Sequence, residues 1–415
     1  MRILVPTSYY LPEQVASSYL DDNLREVIAA NGIEMRVVTP MPSRNLPEGI
    51  IDVPKYEELC EGKISIYRFP LFKEKKGTVR RTFRYILQII KQYFICIHSD
   101  FCKDCDFISV ASTPPIIGVM AVLVKKRKRL PFLYTIQDIF PDSLVGSGLI
   151  KNGGFIWRLG RKIEDYVYKN ADKIIVISEG FKKNLLAKGV SEEKIEVIYN
   201  WVDEDAVVDI PREQNVLFER YGLQSKKFYI SYSGNIGLTQ NMDLLLDVMS
   251  DLQVEEPTIN LVLIGEGAYK TQVESIVKEK KLANVIILPF QPFEDISHVF
   301  SIGDVGLVIS KPGVGENSVP SKTWSIMSAS RPVLANFDEN ELKTVIEENN
   351  CGIFTKAGDK AAFIDAILKF YNDRELCREM GNNGRQFVMD NLTKKVGTQR
   401  YVDVIKSFDK LCIKE

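Results

Sequence analysis

Histidine is almost missing from this sequence, which holds only His98 and His298, far apart along the chain. The seven cysteines are odd in number and scattered. Cys102 and Cys105 form one CxxC, but no second Cys/His pair follows at zinc spacing, so a structural zinc site is not expected. With no signal peptide ahead of Met1-Arg2-Ile3, such cysteine usage fits a reducing cytoplasm. An excess of one charge is also lacking. The formal net charge of −1 excludes a strongly basic protein and argues against wholesale nucleic-acid binding. No apolar run reaches the roughly 18 residues of a membrane span, which leaves attachment to a membrane surface open. Where a dinucleotide-binding protein carries G-x-G-x-x-G after its first strand, this chain reads Thr7-Ser8-Tyr9-Tyr10-Leu11-Pro12-Glu13-Gln14. That disfavours a dehydrogenase, and the absence of GxxxxGK[ST] disfavours an NTPase.

What is present is a chain of 415 residues, long enough for two or three domains, with the 45 % apolar and 26 % charged content of a globular protein. Strands at 3–6, 35–38, 64–69, 107–110, 132–136, 174–177 and 195–198 alternate with helices, and 40–62 is expected to be a long proline-bearing loop. After Tyr199-Asn200-Trp201-Val202-Asp203 the alternation restarts, with strands at 229–233, 260–264, 285–288, 305–309, 333–335 and near 353. Two α/β parallel sheets in series are implied, with a joint near residue 200 and a cleft between domains.

The stretch from Asp304 to Asp338 organises the second half. Val305 to Ile309 is a short apolar run suited to a strand buried on both faces. Pro312, Gly313 and Gly315 favour tight turns and close approach by a ligand, and Pro320-Ser321 is expected to open a helix. Free amides at that helix start, the ammonium of Lys322 and the nearby Lys311 together describe a phosphate or diphosphate site. The alternative is an ordinary βα turn with a solvated lysine.

Residues 73–97 pair a basic loop with a helix rich in Phe83, Tyr85, Ile86, Leu87, Ile89, Ile90, Tyr93, Phe94 and Ile95. Lys73 to Lys91 therefore suits the interface of an anionic membrane, or else belongs to a core helix with a solvated basic end. Lys125 to Arg129 is basic enough to join the same surface. The strand at 132–136 delivers Gln137, Asp138 and Asp142 to the carboxyl edge of its sheet.

These segments resemble, in order and over nearly the whole chain, the retaining glycosyltransferases of family four with the GT-B fold, especially their WbuB-like branch. The matching residues are Thr113-Pro114-Pro115, Asp138 with Pro141, Val176 to Phe181, Lys194 to Asp203, Tyr232 to Gly237, Gly265-Glu266-Gly267, Val319-Pro320-Ser321-Lys322 and Arg331-Pro332-Val333. The resemblance implies two Rossmann-like doubly wound domains facing across a cleft. Residues 1–200 would bind the acceptor and 201–395 a nucleotide sugar, UDP-linked or GDP-linked, while 396–415 (a helix from Val396 to Leu411) would return to the first domain. It also implies sugar transfer with retained configuration to a glycan or polyprenyl-linked acceptor. The setting would be capsule or lipopolysaccharide synthesis, at the inner face of the plasma membrane as a peripheral protein.

By the same resemblance, Asp138 and Lys322 are the catalytic candidates. Gly234, Asn235, Gln240, Gly265, Glu266, Phe290, Lys311, Glu316, Asn317, Pro320, Ser321 and Ser325 fall on the donor side, and Glu13, Gln14, Ser17 and Asp142 on the acceptor side. Phe290 lies in the segment, Pro289 to Phe293, where the family commonly holds the base. Three departures from the family stand out. Asn235 and Gln240 stand where an Arg and a Lys usually meet the diphosphate, which leaves Lys322 and Lys311 to supply the charge. Asn317 and Ser325 stand in place of two glutamates, with Glu316 beside them, so ribose binding would be weaker. Val15-Ala16 replaces a Gly-Gly. Asp104-Cys105-Asp106 and Asp203-Glu204-Asp205 imitate the metal motif of another glycosyltransferase fold but are read as solvated acids, and no obligatory metal is expected. A GT-B epimerase or phosphorylase, or a non-catalytic sugar-nucleotide-binding partner protein, are the alternative functions.

Overall fold

A computed structural model of the chain describes residues 1–13, 18–43, 46, 52–73, 78–146, 150–315 and 319–408. It divides into two compact units, one of 1–199 together with the chain from Gly397, the other of 200–396.

In the first unit the order is β1 (Arg2–Pro6), α1 (Ser18–Ala30), β2 (Glu34–Pro40), β3 (Tyr56–Leu59), β4 (Ile64–Phe69), α2 (Thr78–His98), β5 (Phe107–Ala111), α3 (Ile117–Lys128) and β6 (Phe132–Ile136). It continues with α4 (Asp142–Gly146), α5 (Phe155–Asn170), β7 (Lys173–Val176), α6 (Glu179–Ala187) and β8 (Ile195–Val197). Among the described residues these strands form one sheet in the order β3-β4-β2-β1-β5-β6-β7-β8, parallel except for β3. All five residues of β6 are buried, as expected of a strand covered on both faces. The sequence expectation of an unbroken loop over 40–62 is corrected by β3, which pairs antiparallel with β4. As an edge strand with alternating exposure and the sequence Tyr-Glu-Glu-Leu, it has no apolar run to announce it.

The second unit runs α7 (Val216–Arg220), β9 (Phe228–Ser233), α8 (Met242–Glu255), β10 (Ile259–Ile264), α9 (Lys270–Glu279), β11 (Val285–Leu288), α10 (Ile296–Phe300), β12 (Val305–Ile309) and α11 (Lys322–Ser328). Then follow β13 (Val333–Phe337), α12 (Glu341–Glu348), β14 (Gly352–Lys356), α13 (Lys360–Asn372) and α14 (Arg374–Asn391), and the last helix, α15 (Lys394–Ser407), passes from Gly397 onward into the first unit. The sheet order is β11-β10-β9-β12-β13-β14, every pair parallel. Its core joins Ile230, Leu261, Leu263, Leu307 and Leu334 from the strands to Leu245, Met249 and Ile367 from the helices. Each such side chain, fully buried, contributes about 1.5–3 kcal/mol.

α15 starts at Lys394, and residues 409–411 of the expected terminal helix lie outside the described residues. Within the first unit Phe408 stacks on Phe107 with ring centroids 4.5 Å apart, and Lys406 donates to Asn31 Oδ1 at 2.9 Å.

α2 is built the other way round from an ordinary surface helix. Its buried positions are Arg84, Gln88, Gln92 and Cys96, whereas Phe83, Ile86, Ile90 and Phe94 are exposed. The buried side chains hold the segments after β1 and β2. Gln88 donates to Ser8 Oγ (2.7 Å), Gln92 to the carbonyls of Thr7 (2.8 Å) and Val38 (3.0 Å), and Arg84 to Ser43 Oγ (3.1 Å).

Candidate functional site

The six-stranded sheet reverses direction of travel between β9 and β12: successive strands after β9 lie on one side and those after β12 on the other. The loops that leave these two neighbours diverge, and a crevice opens at the carboxyl edge, the usual ligand position in such sheets. Here it is a cavity of about 260 Å³, lined by Thr239 and Gln240 from the β9 loop and by Ser310, Val314, Pro320 and Lys322 from the segment after β12. α11 can lie close on β12 because Gly306 has no side chain, since a Cβ there would stand 2.4 Å from Ile326 Cγ2.

The floor of the site is backbone. Gly234 (φ +136°) and Gly265 (φ +158°) take conformations L side chains rarely adopt, and a Cβ on Gly265 would meet the Gly234 carbonyl oxygen at 1.8 Å. Lys322 Nζ is delivered onto this floor, 2.8 Å from where a Gly234 Cβ would stand and 3.7 Å from the centre of the Tyr232 ring. The Tyr232 hydroxyl donates to the Asn235 carbonyl at 2.6 Å, which fixes the ring beneath the amine. The ring face favours the ammonium, but burial opposes it and prevails, lowering the Lys322 pKa to about 7. Among the described residues no carboxylate pairs with it. Ser310, which lines the same cavity, is 4 % exposed, and its hydroxyl has no hydrogen-bond partner among the described residues. A desolvated amine and an unpartnered buried hydroxyl in one polar cavity suit an anionic oxygen ligand.

Pro320 and Ser321 precede α11, which begins at Lys322, two residues later than the sequence implies. Two amides of this turn are engaged: Thr323 N–H donates to the Pro320 carbonyl (2.9 Å) and Trp324 N–H to that of Ser321 (3.1 Å). Ser325, one turn beyond Lys322, is half-buried on the same helix face, while its neighbours Trp324 and Ile326 are buried. The glycine amides after β12 serve an internal anion that sequence reasoning missed. Asp338 accepts from Gly313 N–H at 2.9 Å and from Gly315 N–H at 2.7 Å. The only sequence signal was an acid just past the end of β13.

Of the other donor-side candidates, Gln240 closes its own loop by accepting from Gly237 N–H (3.0 Å), and Asn235 is exposed beside it. Lys311 donates its amide to the Thr239 carbonyl (2.8 Å) and holds its ammonium over the Tyr269 ring at 5.8 Å. Glu266 is exposed and pairs with Lys270 at 2.6 Å, while its carbonyl accepts from Ile236 N–H. Phe290 follows β11 and is 72 % exposed, in a turn pinned by buried Gln291, which donates to the Pro289 carbonyl and the Tyr221 hydroxyl. Glu316 and Asn317 lie outside the described residues.

In the first unit Glu13 is buried and accepts from Ser43 N–H at 2.7 Å, whereas Gln14 and Ser17 lie outside the described residues. Asp138 follows β6 with its side chain reaching solvent. Partial burial of its carboxyl raises the pKa, against hydrogen bonds from Ser143 and the Ile139 amide. Burial pushes Asp142 up as well, but Lys188 at 2.7 Å and the Trp157 indole at 3.2 Å outweigh it and hold Asp142 below the usual carboxylate range. The acid triplets make local bonds. Asp106 accepts from the Arg2 amide (2.6 Å), Asp203 from the amides of Asp205 and Ala206, and Glu204 from that of Lys394 (2.7 Å). Among the described residues no three His, Cys, Asp or Glu side chains lie close enough to hold a metal ion.

Known proteins share this architecture. The fold is GT-B, two parallel-sheet α/β units in one chain. Solved structures similar over nearly their whole length include a sucrose-phosphate synthase from Thermosynechococcus elongatus (TM-score 0.77, 16 % identity, 99 % of each chain covered). Another is HepE from Anabaena in complex with UDP (TM-score 0.74, 14 % identity, 98 % of this chain and 100 % of that one). The model described as Glycosyltransferase Family 4 matches residues 22–206, and Glycosyl transferases group 1 matches 213–387. Among relatives, WcaI of Escherichia coli (strain K12), named for glycosyl transfer in colanic acid biosynthesis, is 28 % identical over 79 % of this chain and 81 % of its own. WbjE of Pseudomonas aeruginosa, named as a glycosyltransferase, is 21 % identical over 98 % of both. The chain belongs to the family four glycosyltransferases and is a transferase enzyme.

Proposed function

We propose that the enzyme moves a sugar, with retention of configuration, from a UDP-linked donor to a hydroxyl of a glycan or polyprenyl-linked acceptor in cell-surface polysaccharide synthesis. The observation that carries this reading is the desolvated Lys322 amine at the β9/β12 crevice, without a carboxylate partner among the described residues. A diphosphate bound there supplies the missing counter-charge and draws a proton onto the amine. As the bond from the anomeric carbon to the diphosphate oxygen breaks, negative charge builds on the leaving group, and the ammonium stabilises it where water is excluded. The Ser310 hydroxyl donates to the same group, and the open backbone at Gly234 and Gly265 lets it approach.

Residues 201–395 then form the donor domain and 1–200 the acceptor domain. Neutral Asn235 and Gln240 position the phosphates, with Lys311 adding charge, and Pro320 and Ser321 set the turn that aims Lys322. Ser325, with Glu316 and Asn317, binds the ribose, Phe290 covers the base and Glu266 borders the sugar. Asp138 orients the accepting hydroxyl, and Glu13, Gln14, Ser17 and Asp142 shape the acceptor side. No obligatory metal is invoked. The choice of UDP is supported by the HepE complexes with UDP and with UDP-glucose. The polysaccharide setting is supported by the name of WcaI and by the similar fold of WaaG, described as involved in lipopolysaccharide biosynthesis. A lipid-linked acceptor places the enzyme at the inner membrane face, with peripheral contact through Lys73 to Lys91.

Calorimetric titration with UDP- and GDP-sugars, followed by turnover assays on the binders, tests the reading. Wild-type protein is expected to bind a UDP-sugar and Lys322→Ala to lose most binding and turnover. Failure of every nucleotide sugar to bind overturns it.

A further inference from the structure

We propose that the amino edge of the first unit's sheet carries a second binding site, for a neutral segment of glycan chain, separate from the place of transfer. A cavity of about 430 Å³ opens there, within the roughly 300–1,000 Å³ common to small-molecule sites. That its ligand is a glycan rests on the acceptor class proposed above; the chemistry of its walls does not.

Strand pairing builds one wall. Glu58 of β3 stands opposite Ser65 of β4, and Ser65 opposite Arg36 of β2, so these three side chains share one face of the sheet. Arg2 of β1 stands opposite Glu34, two residues before Arg36 and on the same face. The 3₁₀ turn Asp100–Cys102, after α2, supplies the other wall through Phe101, with Asp104 just beyond it. This turn is anchored: Cys102 is fully buried, and Lys128 donates to the Cys102 carbonyl and, at 3.2 Å, to that of Cys96. A wall already in place adds little ordering cost to binding.

The site stands away from the acceptor candidates. Arg2, Arg36 and Ser65 fall within the first three residues of their strands, whereas Asp138 and Glu13 follow the carboxyl ends of β6 and β1. A ligand here is about a strand's length from them and is not the group that reacts.

Charge and aromatic character select the ligand. Arg2, Arg36 and Lys103 line the cavity together with Glu57, Glu58, Asp100 and Asp104. The carboxylates repel an anion such as phosphate, and the cations repel a polyamine. Most of these charges are matched within the protein. Arg2 and Arg36 share Glu34 (2.8 and 3.8 Å), Glu57 pairs with Arg68 (2.6 Å) and Asp100 with Lys103 (2.6 Å). Glu58 and Asp104 are exposed and make no ion pair among the described residues, so their oxygens are open acceptors. Tyr56 is 58 % exposed, its ring centre 6.4 Å from that of Phe101 and 4.9 Å from that of Tyr67. A pyranose ring has polarised C–H groups on its faces and hydroxyls around its rim. The negative face of an aromatic ring attracts the first, while carboxylates and guanidinium N–H groups bond the second. Open carboxylates, nearby guanidinium groups and an exposed aromatic ring, with little net charge, fit a neutral polyhydroxy ligand better than an ion. A glycan held here is tethered, which raises the effective concentration of its free end at the acceptor residues.

Saturation-transfer NMR tests this without nucleotide, with methyl glycosides of glucose, galactose, fucose and N-acetylglucosamine, maltotetraose and cellotetraose as probes. At least one is expected to bind, and excess UDP should leave its signal in place, because the donor crevice belongs to the other unit. Failure of nucleotide sugars to bind would therefore count against the donor reading and not against this site. Affinity is expected to fall at least ~10-fold in Tyr56→Ala and in Glu58→Gln, and to survive in Tyr56→Phe, which keeps the ring. Glu58→Gln preserves the size of an exposed side chain, so it reads the site even where thermal unfolding shows that Tyr56→Ala has weakened the edge strand. The proposal is overturned if no probe binds, if Glu58→Gln and a folded Tyr56→Ala bind as the wild type does, or if UDP, inorganic phosphate or spermidine displaces the sugar.

Discussion

Lys322 reaches across to Gly234: its amine stands 2.8 Å from the point where any side chain at residue 234 would begin. The positive charge absent from the β9 loop is thus brought in from the start of α11, and the missing side chain at Gly234 makes room for it.

Replacing Gly234 by alanine fills that point and also strains a backbone held at φ +136°. The amine must move by about an ångström or more, a displacement that elsewhere costs up to ~100-fold in rate. Gly234→Ala is expected to weaken UDP-sugar binding at least ~10-fold in calorimetry, with a lower melting temperature from the backbone strain. Unchanged affinity would separate Lys322 from the donor.

Donor binding should depend on pH through the same amine. With its pKa lowered to about 7, Lys322 is already charged below pH 7 and must take up a proton above it when the diphosphate arrives. Affinity is expected to be flat below about pH 7 and to fall above it, approaching ~10-fold per unit. For the free protein the sign is as follows. A lowered lysine pKa means that the unfolded chain holds the extra proton between about 7 and the ordinary lysine value. Stability contributed by this residue therefore rises with pH through that window, and its burial penalty is complete below it. Lys322→Met should flatten both profiles, read by calorimetry and by urea unfolding across pH.

Ser325 lies one turn from Lys322 with its side chain partly open. If it bonds a ribose hydroxyl, Ser325→Ala removes a neutral hydrogen bond of about 0.5–1.5 kcal/mol, a loss of roughly 2- to 12-fold in UDP affinity. The affinity for inorganic pyrophosphate should not change, which distinguishes a ribose contact from general damage to the site.

Asp338 holds the Gly313 and Gly315 amides through both carboxylate oxygens. Asp338→Ala is expected to destabilise the second unit by about 1.5–3 kcal/mol, the range for bonds to a charged acceptor. Asp338→Asn keeps one acceptor oxygen and should recover part of that, both measured by denaturant unfolding.

Much of the architecture could be read along the chain because parallel strands covered on both faces are continuous apolar runs: Val305 to Ile309 and Phe132 to Ile136 are buried throughout. Strand β3 could not be read this way, since an edge strand with one wet face has no such run. Lys322 was marked by its place after a strand and before a helix, which is local information. Its low pKa, its seat on Tyr232 and the use of the Gly313 and Gly315 amides by Asp338 depend on residues between 23 and 90 positions apart in sequence.

The sequence by itself determined two α/β sheets in series, the family, and the lysine that faces the crevice, because periodicity and motif order are local properties of the chain. The tertiary structure decided which face of α2 is turned outward. The composition of that helix allows either orientation, and the bonds from Gln88 and Gln92 to Ser8, Thr7 and Val38 choose between them. A buried amide left unbonded costs more than an apolar side chain left in water, so the polar face is the one that goes inside.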